Sequence, residues 1–161
     1  MTLGSIKKEL QEEAVATRNI FKAVDYQLWN YKPHEKSMEL GVLATHLAEI
    51  ATWVNVVLNT SELDFEKEAY KPTILHSTDE LLAFFDENMK KAYEVLSEKE
   101  ETVLTENWTM RAGEMIYFTL PKADVIRTWV LNHIVHHRAQ LGVYLRLNNI
   151  PLPSTYGPSA G

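Results

Sequence analysis

The sequence contains no cysteine, so a disulfide framework and a cysteine nucleophile are both excluded. Any metal site in this protein must therefore use nitrogen and oxygen ligands. No apolar run approaches the roughly 18 to 20 residues that cross a bilayer. The N-terminal residues 1–8 also lack the basic start and apolar stretch of a secretory signal. These absences predict a cytoplasmic protein that has no membrane partner.

Positive charge is also scarce, because 16 lysines and arginines stand against 22 aspartates and glutamates, for a net charge of −6. A nucleic-acid-binding surface usually carries an excess of positive charge, so nucleic acid is not expected as a partner. Hydrophobic residues make up 45% of the 161 positions and charged residues 24%. This composition is ordinary for a globular protein and predicts one domain over residues 1–161.

Hydrophobic residues recur at intervals of three and four along four long segments, the spacing that predicts amphipathic helices. The expected helices cover approximately residues 5–28, 38–59, 79–97 and 122–148. At the start of the third helix, Ser77 and Glu80 have the serine-x-x-glutamate spacing of a capping box. Four long helices favour an all-α fold in the form of a four-helix bundle.

The segment between the third and fourth predicted helices does not follow this pattern. Within residues 108–120, Gly113 is flanked by residues of high β propensity. They predict an irregular, partly extended excursion or a loose β-hairpin. A segment of this kind is also suited to cover a site.

Three of the six histidines fall within residues 133–137, in the last predicted helix. His133 and His137 are four positions apart, so they lie one turn apart on the same helix face. Both fall near the centre of the apolar stripe, whereas His136 lies at its edge and is expected to pack or to form an interface. His46 falls inside the apolar stripe of the second helix.

A buried histidine needs a polar partner for each ring nitrogen, and two explanations fit three such residues in one bundle. The first is a hydrogen-bonded polar core without metal. The second is a metal site built by facing helices, in which three neutral imidazoles leave at least one coordination position open. The periodicity alone does not decide between them.

The motif His-Ile-Val-His-His-Arg-Ala-Gln at residues 133–140 resembles the last helix of the DinB-like (YfiT-like) four-helix bundles, which carries a His-x-x-His-His-Arg-Gly/Ala-Gln pattern. The closing Pro-Ser-Thr-Tyr-Gly at residues 153–157 is similar to the family's Pro-x-x-Tyr-Gly. His46 matches the single histidine of the family's second helix. The resemblance implies that His46, His133 and His137 bind a divalent metal ion, and it also suggests a homodimer.

Family members of known activity include thiol-dependent transferases and isomerases, in which the metal activates a low-molecular-weight thiol. The resemblance therefore implies a metal-dependent transferase that acts on a small molecule with a small thiol. A metal-dependent hydrolase and a non-enzymatic, metal-binding or stress-response dimer are the alternatives. Imidazole ligands suit several metals. The expected ion is zinc or nickel, and manganese or iron is also possible.

Four residues near the histidines have expected roles. Glu49 lies about one turn after the histidine of the second helix and is a candidate catalytic base or orienting group, or else a boundary carboxylate. Gln140 and Tyr144 continue the histidine face of the last helix and are candidate substrate-binding residues, or else pack. Arg138 points to the opposite side of that helix, where a salt bridge or an interface contact is expected.

Overall fold

The computed structural model describes residues 1–67 and 71–158, and it is mainly helical with one small sheet. The helices are α1 (Leu3–Lys22), α2 (Leu40–Glu49), α3 (Thr52–Asn59), α4 (Thr78–Glu98), α5 (Lys122–Ile126) and α6 (His133–Leu147). The strands are β1 (Glu62–Asp64), β2 (Asn107–Ala112) and β3 (Met115–Pro121). A π-helical segment, Arg127–Asn132, joins α5 to α6, and short 3-10 turns lie at Tyr26–Leu28 and Glu101–Thr105.

All four predicted helical regions are helical, but a count of four helices is not confirmed. The second region is divided, because α2 and α3 meet at a bend of 42°. At this break the Thr52 hydroxyl donates a hydrogen bond of 2.7 Å to the Glu49 carbonyl, an alternative to the regular backbone ladder. The first region ends at Lys22, earlier than expected, and a 3-10 turn follows it.

The fourth predicted helix is continuous but not uniform. The backbone at both junctions, Ile126 and Asn132, is right-handed helical, so α5, the π segment and α6 form one helical run. Within the described parts of the chain, no single helix is long and apolar enough to cross a membrane. Helices α2 and α3 meet that test only when taken together across their bend.

The start of α4 agrees with the prediction, although the capping arrangement differs by one residue. The Ser77 hydroxyl accepts a 3.0 Å hydrogen bond from the backbone N–H of Glu80. The Glu80 carboxylate accepts from the backbone N–H of His76 at 2.8 Å, where a standard capping box would use that of Ser77. The helix therefore has Ser77 as its N-cap and begins at Thr78.

The predicted excursion is a β-hairpin. Strands β2 and β3 pair in antiparallel fashion, and β1 adds to β2 in parallel. Gly113 lies in the hairpin turn with a φ of +54°, a conformation that favours glycine. A Cβ atom at this position would also lie only 2.4 Å from the Glu66 carboxylate. The sheet packs on the helices through Trp108, which is fully buried and donates from its indole N–H to the Thr60 hydroxyl at 2.9 Å.

On the side of α6 that faces α1, a buried ion pair joins the two helices. The Arg138 guanidinium lies 2.6 Å from the Glu13 carboxylate, which confirms the predicted salt bridge. The same guanidinium donates to the Thr17 hydroxyl at 3.2 Å and to the Tyr156 hydroxyl. Because Tyr156 in turn donates to Glu13 at 2.8 Å, the C-terminal segment is tied to both helices.

Replacement of Arg138 by methionine is expected to lower the free energy of unfolding by about 3 kcal/mol, because it leaves the Glu13 carboxylate without its charged partner. The Arg138 and Glu13 side chains are only 4% and 14% exposed. The matched control is Arg18→Met, whose partner Asp86 lies at 2.9 Å but whose pair is 39% and 46% exposed. That control should cost much less, because solvent screens an exposed ion pair. Urea unfolding of both variants measures the difference, and equal losses would contradict this account of the ion pair.

Candidate metal centre

Three histidine side chains converge between α2 and α6. His46 lies on α2, and His133 and His137 lie one turn apart at the start of α6. The Nε2 atom of His133 lies 3.4 Å from Nε2 of His46 and 2.7 Å from Nε2 of His137. Their potential ligand atoms all fall within 4.8 Å of one another. The structure thus brings together the three residues that the sequence suggested, across a separation of 87 positions.

Hydrogen bonds to the other ring nitrogens orient two of these imidazoles. Nδ1 of His133 lies 3.3 Å from the carbonyl oxygen of Trp129, and Nδ1 of His137 lies 2.7 Å from the side-chain oxygen of Gln140. Since both oxygens can only accept, each Nδ1 carries the proton and each Nε2 has a free lone pair. The 2.7 Å contact between the two Nε2 atoms is a hydrogen bond when one of them carries a proton. With the protons on Nδ1, it instead places two lone pairs where a single ion can accept both, so the geometry is compatible with a bound cation.

The protonation state of the group is also suited to metal binding. Burial lowers the pKa of His137 to about 4, against the opposing effect of its hydrogen bond to Gln140. Burial also lowers the pKa of His46, and the nearby Glu49 carboxylate partly opposes this shift. The pKa of His133 is lowered by burial and, to a smaller extent, by His46. The three imidazoles are neutral near pH 7, as metal ligation requires.

The donor set and its dimensions fit a divalent transition-metal ion. Tetrahedral nitrogen ligands at roughly 2.0 to 2.1 Å from an ion are about 3.3 Å from one another. The observed Nε2 separations of 2.7 and 3.4 Å lie near that value, and the ligand atoms of all three histidines lie within 4.8 Å of one another. A set of three neutral nitrogens suits zinc, nickel or iron, whereas calcium and magnesium prefer oxygen ligands.

The π-helical segment before His133 is a feature that the sequence did not predict. In an α-helix the carbonyl of Trp129 would accept from the backbone N–H of His133. Here that N–H bonds to the carbonyl of Val130, and the Trp129 carbonyl accepts from the His133 ring. Short π-helical segments occur frequently at functional sites. Trp129 is therefore a site residue that hydrophobic periodicity could identify only as a buried aromatic.

An aromatic stack connects the histidines to the β-hairpin. The ring of Trp129 stacks on Trp53 of α3 at 6.3 Å and on Phe118 of β3 at 5.5 Å, both with an interplanar angle of 19°. Its edge contact with His133 has a centroid distance of 6.2 Å. Among the described residues, the hairpin contributes none to the wall of the cavity described next. The hairpin thus supports the site through Phe118 and does not cover that cavity.

A cavity of about 790 Å³ opens beside His46 and His137. Its wall comes mainly from α2, α3 and α4 and includes apolar and polar side chains, among them Val42, Thr45, Glu49, Trp53, Phe84 and Asn88. This volume lies within the range of small-molecule binding sites. The histidines are accordingly next to a space that a small ligand can enter.

The other predicted site residues occupy different positions. Glu49 lines the cavity, and its charge partly offsets the lowering of the His46 pKa by burial. Gln140 and Tyr144 are not among the residues that line it. Gln140 instead orients His137, and the Tyr144 hydroxyl donates to the Met38 carbonyl at 3.3 Å.

His136 lies outside the group of three, as its place in the helix pattern predicted. Its side chain is exposed, and it contacts the cluster through its ring, whose centroid is 4.8 Å from that of His137. The three consecutive residues His136, His137 and Arg138 therefore have different environments. The first faces solvent, the second faces the cluster, and the third is buried against α1.

These features define a helical protein with a three-histidine group that is compatible with a divalent metal ion and lies beside a small-molecule cavity. The chain belongs to the DinB family, whose sequence model matches residues 2–160.

Two crystal structures of DinB-like proteins have the same fold. One, from Bacillus subtilis, has a TM-score of 0.73 and 18% identity, with 94% of this chain and 97% of that protein covered. The other, from Bacillus cereus ATCC 10987, has a TM-score of 0.73 and 22% identity, with 96% and 98% covered. A comparison with curated proteins found no match. At these identities the likeness establishes the fold.

The lowered pKa of His137 predicts that the metal-free protein loses stability on acidification. Because the unfolded histidine takes up a proton near pH 6.5 and the folded one only near pH 4, protonation favours the unfolded state between these values. Between pH 8 and pH 5 the loss from His137 should be about 2 kcal/mol. Urea unfolding across this range checks it against the variant His137→Gln, which should depend less on pH. Identical pH profiles for the two proteins would contradict the prediction.

Proposed function

We propose that His46, His133 and His137 hold one divalent metal ion, and that the protein is a metal-dependent transferase acting with a small thiol. The observation that carries this proposal is the convergence of three neutral imidazoles beside an accessible cavity. A metal ion bound there supplies a Lewis acid that favours the deprotonated form of a thiol. Zinc or nickel is the preferred ion, since the ligands are imidazole nitrogens.

The charge balance of the site supports a thiolate as the reacting group. Three neutral histidines leave the charge of a divalent ion uncompensated, so an anionic ligand is favoured at the open coordination position. Glu49, on the cavity wall, is suited to accept the proton that the thiol loses on binding. Gln140 and the Trp129 carbonyl have a positioning role, because they hold His137 and His133 by their Nδ1 protons.

The arrangement favours an enzyme over a purely structural metal protein. Structural zinc sites are usually closed by four protein ligands, whereas three ligands and an open position are typical of catalytic sites. In the described part of the chain, the group that could hold a metal contains three residues. A hydrolase would use water in place of the thiol at the same position, and the dependence of product formation on thiol separates the two. The family resemblance further supports a homodimer, and we also propose a cytoplasmic location.

Metal analysis of protein prepared without a histidine tag tests the site itself. We expect one divalent ion per chain, and a loss of at least 100-fold in affinity for Zn²⁺ when any of His46, His133 or His137 is replaced by alanine. His34→Ala and His136→Ala are the matched controls, because both side chains are exposed, and they should bind one ion each. Gln140→Leu leaves the three ligands in place and should weaken binding by roughly 10- to 100-fold. Zinc binding that survives loss of His46 would contradict the site.

The reaction is tested by conjugation of a thiol-reactive electrophile to a panel of small thiols. Turnover should require both metal and thiol, and Glu49→Gln should reduce kcat by roughly 10²- to 10⁴-fold without loss of metal, as expected for removal of a general base. Glu87→Gln, on the exposed face of α4, is the control and should be fully active. Product formed from water alone would favour the hydrolase. Inertness toward every thiol would contradict the transferase.

A further inference from the structure

We infer that Asn88 and Thr45 determine ligand specificity in the cavity, and that the ligand is a small molecule with an apolar body and an amide N–H or hydroxyl directed at the Asn88 side-chain oxygen. The inference deepens the proposed function, since it identifies the chemical class of the substrate for the same site. Its evidence is nonetheless independent of the histidines. It comes from two polar side chains that line the same cavity, one on α2 and one on α4.

The orientation of the Asn88 amide is determined by a hydrogen bond to the backbone. Its Nδ2 donates to the Ala48 carbonyl at 3.0 Å, so Oδ1 is the atom left on the other side of the amide. Asn88 is only 5% exposed, and Oδ1 has no hydrogen-bond partner among the described residues. Every fully enclosed side-chain polar atom in the described structure has a partner. Oδ1 is therefore not enclosed, and the surface it reaches is that of the cavity that Asn88 lines.

Thr45 supplies a second polar group to the same space. It is 7% exposed and lines the cavity, next to His46 in the sequence and one turn before Glu49. Its hydroxyl makes no hydrogen bond to a described residue, although a threonine in a helix commonly bonds to the carbonyl one turn before it. Since a hydroxyl both donates and accepts, Thr45 can pair with either kind of polar group on a ligand.

The remaining wall determines what the rest of the ligand must be. Met38, Val42, Trp53 and Phe84 present apolar side chains to the cavity, so an apolar or aromatic body gains by burial there. A ligand without a donor would exclude water from Asn88 Oδ1 and leave it unpaired, at a cost comparable to a lost hydrogen bond. Sites built this way discriminate strongly against analogues that lack the polar group. The cavity thus selects an apolar molecule that carries a donor.

A purely structural role for Asn88 would give a different pattern. Its bond to the Ala48 carbonyl lies close to the end of α2, where backbone carbonyls lack partners within the helix. If that were its only role, loss of Asn88 would weaken the fold and affect all ligands alike. The test must therefore compare two ligands that differ only in the donor.

N-benzylacetamide and 4-phenylbutan-2-one form such a pair, because a CH₂ group in the ketone replaces the amide N–H. Titration of each into the full chain, with and without one equivalent of Zn²⁺, gives the ratio of their dissociation constants. We expect Asn88→Ala to reduce the preference for the amide over the ketone by roughly 5- to 10-fold, the effect of one hydrogen bond. Thr45→Val should also reduce this preference, by a smaller factor, because the hydroxyl can accept from the same donor. An unchanged ratio in Thr45→Val would contradict the role of Thr45. Asn55→Ala, on the exposed side of α3, is the control and should keep the wild-type ratio.

A second readout uses the wild-type protein and does not depend on the folding of a variant. The side-chain ¹⁵N–H resonances of Asn88 should shift on addition of the amide and much less on addition of the ketone. Equal shifts, failure of both probes to bind, or a ratio unchanged in Asn88→Ala would overturn the inference. Because the measurements are also made without metal, they remain decisive if the metal analysis contradicts the proposed function.

Discussion

The hydrogen bond from the His133 ring to the Trp129 carbonyl connects the histidine cluster to the rest of the structure. It depends on a backbone that departs from α-helical geometry in the turn before His133, since there the carbonyl pairs with a side chain. The side chain of Trp129 is stacked between Trp53 and Phe118. One residue therefore sets the tautomer of a candidate ligand through its backbone and links α3 and the hairpin through its ring.

The opposite face of α6 is held by a different kind of interaction. Arg138 follows His137 directly, yet its guanidinium is buried against Glu13 and Thr17 of α1 and is bonded to Tyr156 of the C-terminal segment. The helix is thus anchored by charge on one side and by aromatic packing on the other. This double anchoring explains how two imidazoles on a single turn can be held close together although each is costly to bury.

Hydrophobic periodicity predicted the helical regions well, because a helix that buries one face must repeat its apolar residues every three to four positions. It did not predict the break between α2 and α3, nor the π segment. Both depend on individual hydrogen bonds, such as the one from the Thr52 hydroxyl to the Glu49 carbonyl. Individual hydrogen bonds of this kind do not change the spacing of apolar residues, so the sequence pattern does not reveal them. The residues around Gly113 predicted an irregular excursion or a loose hairpin, but the strand pairing and the packing against Trp129 depended on the folded chain.

The sequence by itself determined that His133 and His137 share a helix face and that Arg138 does not, because residue spacing and helical geometry decide both. The absence of cysteine likewise restricted the ligands to nitrogen and oxygen. Only the tertiary structure placed His46 against this pair, gave Gln140 its bond to His137, and brought Asn88 of α4 to the same cavity as Glu49. These contacts join residues whose relation depends on how helices pack, and packing is decided by the whole chain.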